Sequence, residues 1–196
     1  AALKAIGAAC KQRRPGAARI LGVHLEGPYI NSGKLGAQPS YARAATLTEV
    51  RQLGTYAPMR LITVAPEIAG HLPLVRELAD EGMRVQIGHT LGSYDDGVAA
   101  LEHGASGFTH LFNAMSGLHH REPGMVGAAL AHAEYAELIP DLLHVHPGAI
   151  RAALQSGEKA DIFINTWPAF RKELADAGML RDLGPLWDSA KLGDNL

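Results

Sequence analysis

Only one cysteine, Cys10, stands among 196 residues. That excludes an internal disulfide framework and fits a reducing, cytoplasmic compartment. No run of Lys and Arg is present, and the formal net charge is −2, so nucleic acid is not an expected partner. No apolar stretch approaches the ~18 residues that a membrane span needs, so no membrane contact is expected. The first residue is Ala rather than Met, and residues 1–6 lack the apolar core of a signal peptide. They read as the inside of a helix, which implies a chain that begins within a longer protein. What the sequence does have is 47% apolar residues, enough for one substantial core, and ten histidines.

The pattern alternates strand and helix. Residues 1–13 read as helix, ended by Pro15-Gly16. Residues 19–24 read as a buried strand, followed by a loop over 27–46 that is rich in Gly, Pro, Asn and Ser. Thr46 or Thr48 is positioned to cap a helix over 49–56. Further strands are expected at 60–64, 84–87 and 107–109, with a poorer fifth at 138–140. Helices are expected over 71–81, over 94–103 behind Ser93, and over 147–155 behind Pro147. Such repeated βα units point to a parallel sheet or barrel. A boundary falls near 155–159: beyond it lie both tryptophans, Trp167 and Trp187, and no histidine. Residues 161–165 read as one more strand and 168–178 as one more helix.

Three strand ends carry the chemistry. Glu26 lies in His24-Leu25-Glu26-Gly27-Pro28, His89 in Gly88-His89-Thr90, and His110 in Thr109-His110-Leu111-Phe112-Asn113. In a barrel of βα units these ends converge on one mouth, where active sites sit. One carboxylate and two imidazoles suit Zn²⁺ or another divalent first-row ion, with Fe²⁺, Mn²⁺ and Co²⁺ as alternatives. Three protein ligands leave a position for water, whose pKa the ion lowers. A charge at Glu26, between Leu25 and Gly27, is costly unless paired or metal-bound. His24 reads as a packing or outer residue, and Glu67 as either a mouth residue or a helix start. His119 and His120 read as solvated. One of His144 and His146 is expected to face the site from another strand end. Arg121 suits bidentate capture of a phosphate, with an ion pair to Glu122 as the plain alternative.

At these residues the chain resembles the N-acetylglucosamine-6-phosphate deacetylases of the amidohydrolase superfamily. The resemblance is carried by LGVHLEGPYIN at 21–31, KLGAQP at 34–39, ITVAPE at 62–67 and VQIGHT at 85–90. It continues through ASGFTHLFNAMSGLHHREPGMVGAAL at 105–130 and LHVHPGAIRAAL at 143–154. It implies an α/β fold, a partial (β/α)₈ TIM-type barrel that lacks the β-sandwich and the last strands. Residues 1–154 would form the partial barrel and 155–196 an atypical tail, foreign or fused. The implied reaction is hydrolysis of the N-acetyl group of N-acetylglucosamine 6-phosphate through a metal-bound hydroxide, giving glucosamine 6-phosphate and acetate. Glu26, His89 and His110 match the ligands of one divalent metal ion, with zinc preferred. Ala37 and Gln38, Asn113 and Ala114, Arg121 and His144 match substrate-binding positions, Asn113 and Ala114 through their backbone amides. The resemblance also implies a homodimer, with part of the phosphate site supplied by the second subunit.

Two departures stand out. The proton-transferring aspartate of those enzymes lies in a Thr-Asp-Ala segment that this sequence lacks, and Asp161 sits at the start of its expected strand rather than the end. No catalytic residue is therefore assigned, and the chain is expected to be inactive. Residues 157–196 weakly resemble a sugar-binding protein of an ABC importer instead. The alternatives are another amidohydrolase acting on a cyclic amide or N-acyl sugar, and a non-enzymatic carbohydrate-binding protein.

Overall fold

The computed structural model describes residues 1–12 and 16–156. The tail at 157–196, with Asp161 and the strand and helix expected there, lies outside the described residues. Among the described residues no helix is long and apolar enough to cross a membrane.

The described residues form an α/β fold with one parallel sheet. β1 (Val23–Glu26), β2 (Met59–Val64), β3 (Arg84–Ile87) and β4 (Gly107–Phe108) lie side by side in that order. The helices α2 (Leu47–Gly54), α3 (His71–Asp80) and α4 (Tyr94–Glu102) connect them in turn. Before the sheet lies α1 (Ala2–Lys11); after it come α5 (Gly124–His132) and α6 (Pro147–Gln155). Capping fixes several starts. The Thr46 hydroxyl accepts from the Glu49 amide at α2, and Ser93 with Asp96 forms a reciprocal capping box at α4.

The two faces of the sheet differ. Ile62, Val64, Val85, Ile87 and Phe108 are wholly buried and pack with Leu74, Val75 and Leu78 of α3 and Met125 and Ala129 of α5. The other face is polar. Thr63 Oγ1 bonds to His24 Nε2 at 2.7 Å and to Thr109 Oγ1 at 2.8 Å, and Thr109 Oγ1 donates to Gln86 Oε1 at 2.7 Å. A strand alternates its side chains between faces, so the same periodicity that builds the core lines the opposite face with hydroxyls, an amide and an imidazole. The lone Gln in the strand Arg84–Ile87 was the sequence signal for this network.

Several expectations need correction. The strand expected at 19–24 begins instead at Val23 and runs to Glu26. It starts where Val23 pairs with Met59, with a register irregularity immediately after. No strand forms at 138–140. The chain pairs with β4 two to three residues earlier, through a single parallel bridge between Phe108 and Ala136, with the Leu111 amide donating to the Glu137 carbonyl at 2.7 Å. Likewise, the segment around His144 and His146 is a turn leading into α6, not a strand end. Helix α5 was not anticipated. Gly124–Ala129 is buried all round, so it shows no one-sided apolar stripe by which a surface helix is recognised. It fits because Gly97 of α4 lets α5 come close: a β-carbon there would lie 2.7 Å from that of Ala128.

Candidate metal centre

β1, β3 and β4 deliver one donor each. Glu26 is the last residue of β1, His89 follows β3 by two residues and His110 follows β4 by two. Their donor atoms all lie within 4.8 Å of one another. His89 Nε2 is 2.6 Å from Glu26 Oε1, while His110 Nε2 is 3.2 Å from the same oxygen and 3.1 Å from His89 Nε2. The two rings meet edge to face, 81° apart. Thus the structure brings together all three residues that the sequence singled out.

The hydrogen-bond partners of the two imidazoles leave room for a cation between them and Glu26. His89 Nδ1 lies 2.6 Å from the Lys34 carbonyl, which only accepts. Nδ1 therefore carries a proton, and in neutral His89 the Nε2 lone pair points at a carboxylate oxygen. Two acceptors at that separation repel unless a positive charge stands between them. His110 Nε2, in the tautomer protonated at Nδ1, adds a third lone pair to the same small volume. One divalent ion satisfies all three donors at once. The fixed tautomer of His89, oriented by a carbonyl on its far nitrogen, is the usual arrangement for a metal-bound imidazole. The residues fit the group.

Electrostatics follow the same geometry. When the rings carry a proton on Nε2, their hydrogen bonds, that of His110 first and then that of His89, hold the Glu26 carboxyl well below the usual carboxylate range, against the opposing effect of burial. Burial works against the charged form of His89, yet its bonds to Glu26 and Lys34 outweigh that and raise its pKa.

Backbone strain is concentrated here. His89, His110, Phe112 and Ala114 have φ of +49°, +36°, +78° and +51°. Left-handed conformations cost a non-glycine residue roughly 1–3 kcal/mol and persist only where the surroundings enforce them. Gly88 makes the approach possible, since a β-carbon there would meet Thr63 Cγ2 at 2.9 Å.

The other sequence-predicted residues divide. Gln38 is close to the triad's β1 arm: its Oε1 would lie 3.3 Å from a β-carbon at Gly27, and it lines a cleft of about 640 Å³ with Pro28, Tyr41 and Arg43. Ala37 is exposed in the same loop, which rests on the triad through Gly36, whose β-carbon would lie 3.5 Å from His89 Cε1. The Asn113 amide donates within its own turn to the His110 carbonyl at 2.9 Å, and the Ala114 carbonyl accepts from the Thr90 amide. Arg121 lines a separate cleft of about 670 Å³ with Ser93, Ser116 and Glu122. No triad residue lines either cleft. His144 is exposed and bonds Asp141 at 2.6 Å, with no described bond to the triad. His146 caps α6. His24 joins the polar network rather than the triad. The role of the Lys34 carbonyl went unforeseen, because a backbone contact leaves no mark on residue type.

No protein-family model matches the chain. An N-acetylgalactosamine-6-phosphate deacetylase of Escherichia coli O157:H7 is 42% identical over 150 residues, covering 74% of this chain and 40% of its own length. An N-acetylglucosamine-6-phosphate deacetylase of Vibrio furnissii is 42% identical over 133 residues, covering 66% of this chain and 33% of its own. Among solved structures, that of N-acetylglucosamine-6-phosphate deacetylase from Pasteurella multocida superposes with a TM-score of 0.70 at 33% identity, over 79% of this chain and 41% of that one. The chain therefore spans two fifths or less of the length of the curated relatives named here.

Proposed function

Over about two thirds to three quarters of its length the chain is homologous to the deacetylases of N-acetylhexosamine 6-phosphates, and on that premise we propose that it carries the metal and sugar-phosphate half of such an active site. The observation that carries this reading is the convergence of Glu26, His89 and His110 within 4.8 Å. The sheet is then the first half of a (β/α)₈ barrel, and its polar face the barrel interior. The parent reaction is hydrolysis of the N-acetyl amide of N-acetylglucosamine 6-phosphate to glucosamine 6-phosphate and acetate.

The residues divide the work. Glu26, His89 and His110 would hold one divalent ion, zinc by preference. When bound, that ion supplies a Lewis acid that polarises the acetyl carbonyl and acidifies water. Gln38, beside Gly27, would present its amide to a polar group of the substrate. Arg121 serves the phosphate with a planar fork of donors, with Asn113, Ala114, Ala37 and His144 as further contacts. In the homodimer expected of the complete protein, a second copy closes the phosphate end. Hydrolysis also needs a group that takes a proton from water and gives it to the departing amine. The Thr-Asp-Ala segment that supplies it in the resemblance does not occur in this sequence, so the 196-residue chain binds without turning over.

Calorimetry with the zinc-loaded chain tests this. N-acetylglucosamine 6-phosphate should bind at least about tenfold more tightly than unphosphorylated N-acetylglucosamine, a charge-assisted contact being worth roughly 1.5 kcal/mol or more. Chelation should abolish the binding, and no glucosamine 6-phosphate should be released. Equal affinity for both sugars would contradict the reading. So would turnover in the ordinary enzyme range of about 1–10³ s⁻¹. A second reading replaces the substrate by its galactosamine epimer, since the match to the N-acetylgalactosamine-6-phosphate enzyme, at the same 42% identity, extends over 150 residues rather than 133; tighter binding of that epimer would establish it.

A further inference from the structure

Glu67 is the acidic residue whose place the sequence left open, and the structure puts it outside the triad. It stands in the loop after β2, behind Ala65-Pro66. Its carboxylate accepts three hydrogen bonds from two other loops. Asn31 Nδ2 donates to Oε1 at 2.8 Å, the Leu91 amide to the same oxygen at 2.8 Å, and Thr90 Oγ1 to Oε2 at 2.5 Å. Two of the tethered residues pass the restraint on. The Asn31 amide donates to the His89 carbonyl at 2.9 Å, and the Thr90 amide to the Ala114 carbonyl at 3.0 Å. One carboxylate thus joins the loops that follow all four strands.

The object held at the centre is His89. Its φ of +49° is unfavourable for a residue with a β-carbon. Its carbonyl is fixed by Asn31 and its Nδ1 by Lys34, and Asn31 and the next residue, Thr90, are both tied to Glu67. A backbone strained by roughly 1–3 kcal/mol relaxes unless such restraints over-determine it. Charge-assisted bonds to a carboxylate are the strong class of hydrogen bond, which suits the task. We propose that Glu67 is a positioning residue: it clamps the loops after β1 and β3 so that His89 Nε2 faces Glu26 and His110. The proposal rests on the triad being a metal site, and its consequence is that Glu67 sets metal affinity without touching the ion.

The test compares the full chain with Glu67→Ala and Glu67→Gln. Cobalt(II) serves as the probe, read by its affinity and visible absorption band. Amide hydrogen exchange of the metal-free proteins is the second readout. The amides of Asn31 and Thr90 report positioning, because they bond His89 and Ala114 and not Glu67 itself. Glu67→Ala should lose about tenfold or more in cobalt affinity, as outer-shell substitutions do, while Glu67→Gln, which keeps an oxygen for Asn31 and Leu91, should lose about threefold. The cobalt band should shift in the Ala variant, and both reporter amides should exchange faster. Unchanged affinity and exchange in Glu67→Ala would overturn the proposal. Equal affinity losses in the Gln and Ala variants, with both reporter amides exchanging at the parent rate, would overturn it too, since the charge of Glu67 rather than the clamp would then be at work. If Glu67→Ala fails to fold, Asn31→Ala decides: it removes one arm, and unchanged cobalt affinity and Thr90 exchange would refute the clamp. If the unaltered chain takes up no cobalt, the triad reading fails. The clamp is then judged on exchange alone, where unchanged Asn31 and Thr90 amides in Glu67→Ala would refute it.

Discussion

His110→Ala should remove nearly all metal affinity while leaving the metal-free protein about as stable as before. The first half follows from ligand count. His110 Nε2 is one of three donors within 4.8 Å, and its loss should exceed the roughly 10–100-fold typical of an outer-shell substitution. The second half follows from what the side chain lacks. His110 Nδ1 is buried without a hydrogen-bond partner among the described residues. A buried, unsatisfied polar atom costs about 1–3 kcal/mol, which offsets much of what the ring contributes by packing and by its contact with Glu26. Alanine also inherits the φ of +36° without new strain beyond that already present. The variant should therefore unfold in urea within about 1 kcal/mol of the parent. A variant that binds zinc normally would remove His110 from the site. One that unfolds outright would make it a structural residue.

Phe108→Ala should produce the largest loss of stability. Phe108 is fully buried in the main core, and truncating such a ring costs about 3–5 kcal/mol. The position is sensitive for a second reason. β4 has only two residues. Phe108 donates its amide to the Tyr135 carbonyl and accepts from the Glu137 amide at 2.8 Å, and next to it the Thr109 amide donates to the Ile87 carbonyl at 2.9 Å. His110 comes immediately after. A cavity at Phe108 thus loosens the segment that aims His110, and zinc affinity should fall together with stability. Leu118→Ala is the control: that side chain is 63% exposed, so the change should stay within about ±0.5 kcal/mol. Equal unfolding midpoints for the two variants would contradict the packing described here.

Legibility in the sequence followed physical cause. Glu26, His89 and His110 were readable because each closes a short apolar run, and parallel strands deliver their C-terminal ends to one side. Ser93 was readable because a capping residue followed by acidic residues marks a helix start. β1 was placed too early, since Ile20 and Leu21 look like strand residues yet are 48% and 64% exposed. Helix α5 left no stripe because both its sides are covered. The segment at 135–137, which pairs with β4 in place of the strand expected at 138–140, makes only one bridge; so short a pairing has no periodicity to detect. Glu67 was visible as a carboxylate after a strand, but its partners, Asn31, Thr90 and Leu91, come from loops up to 36 residues away. Residue type alone does not reveal which loops a carboxylate will join.

The role of Glu26, His89 and His110 is tested most directly by the metal content of the full chain, with X-ray absorption at the zinc edge. About one zinc per chain is expected, with nitrogen and oxygen neighbours at about 2.0–2.2 Å, and none in a His89→Ala/His110→Ala double variant. A folded parent chain that takes up no zinc, iron, manganese or cobalt, or one that holds as much as the double variant does, would contradict it.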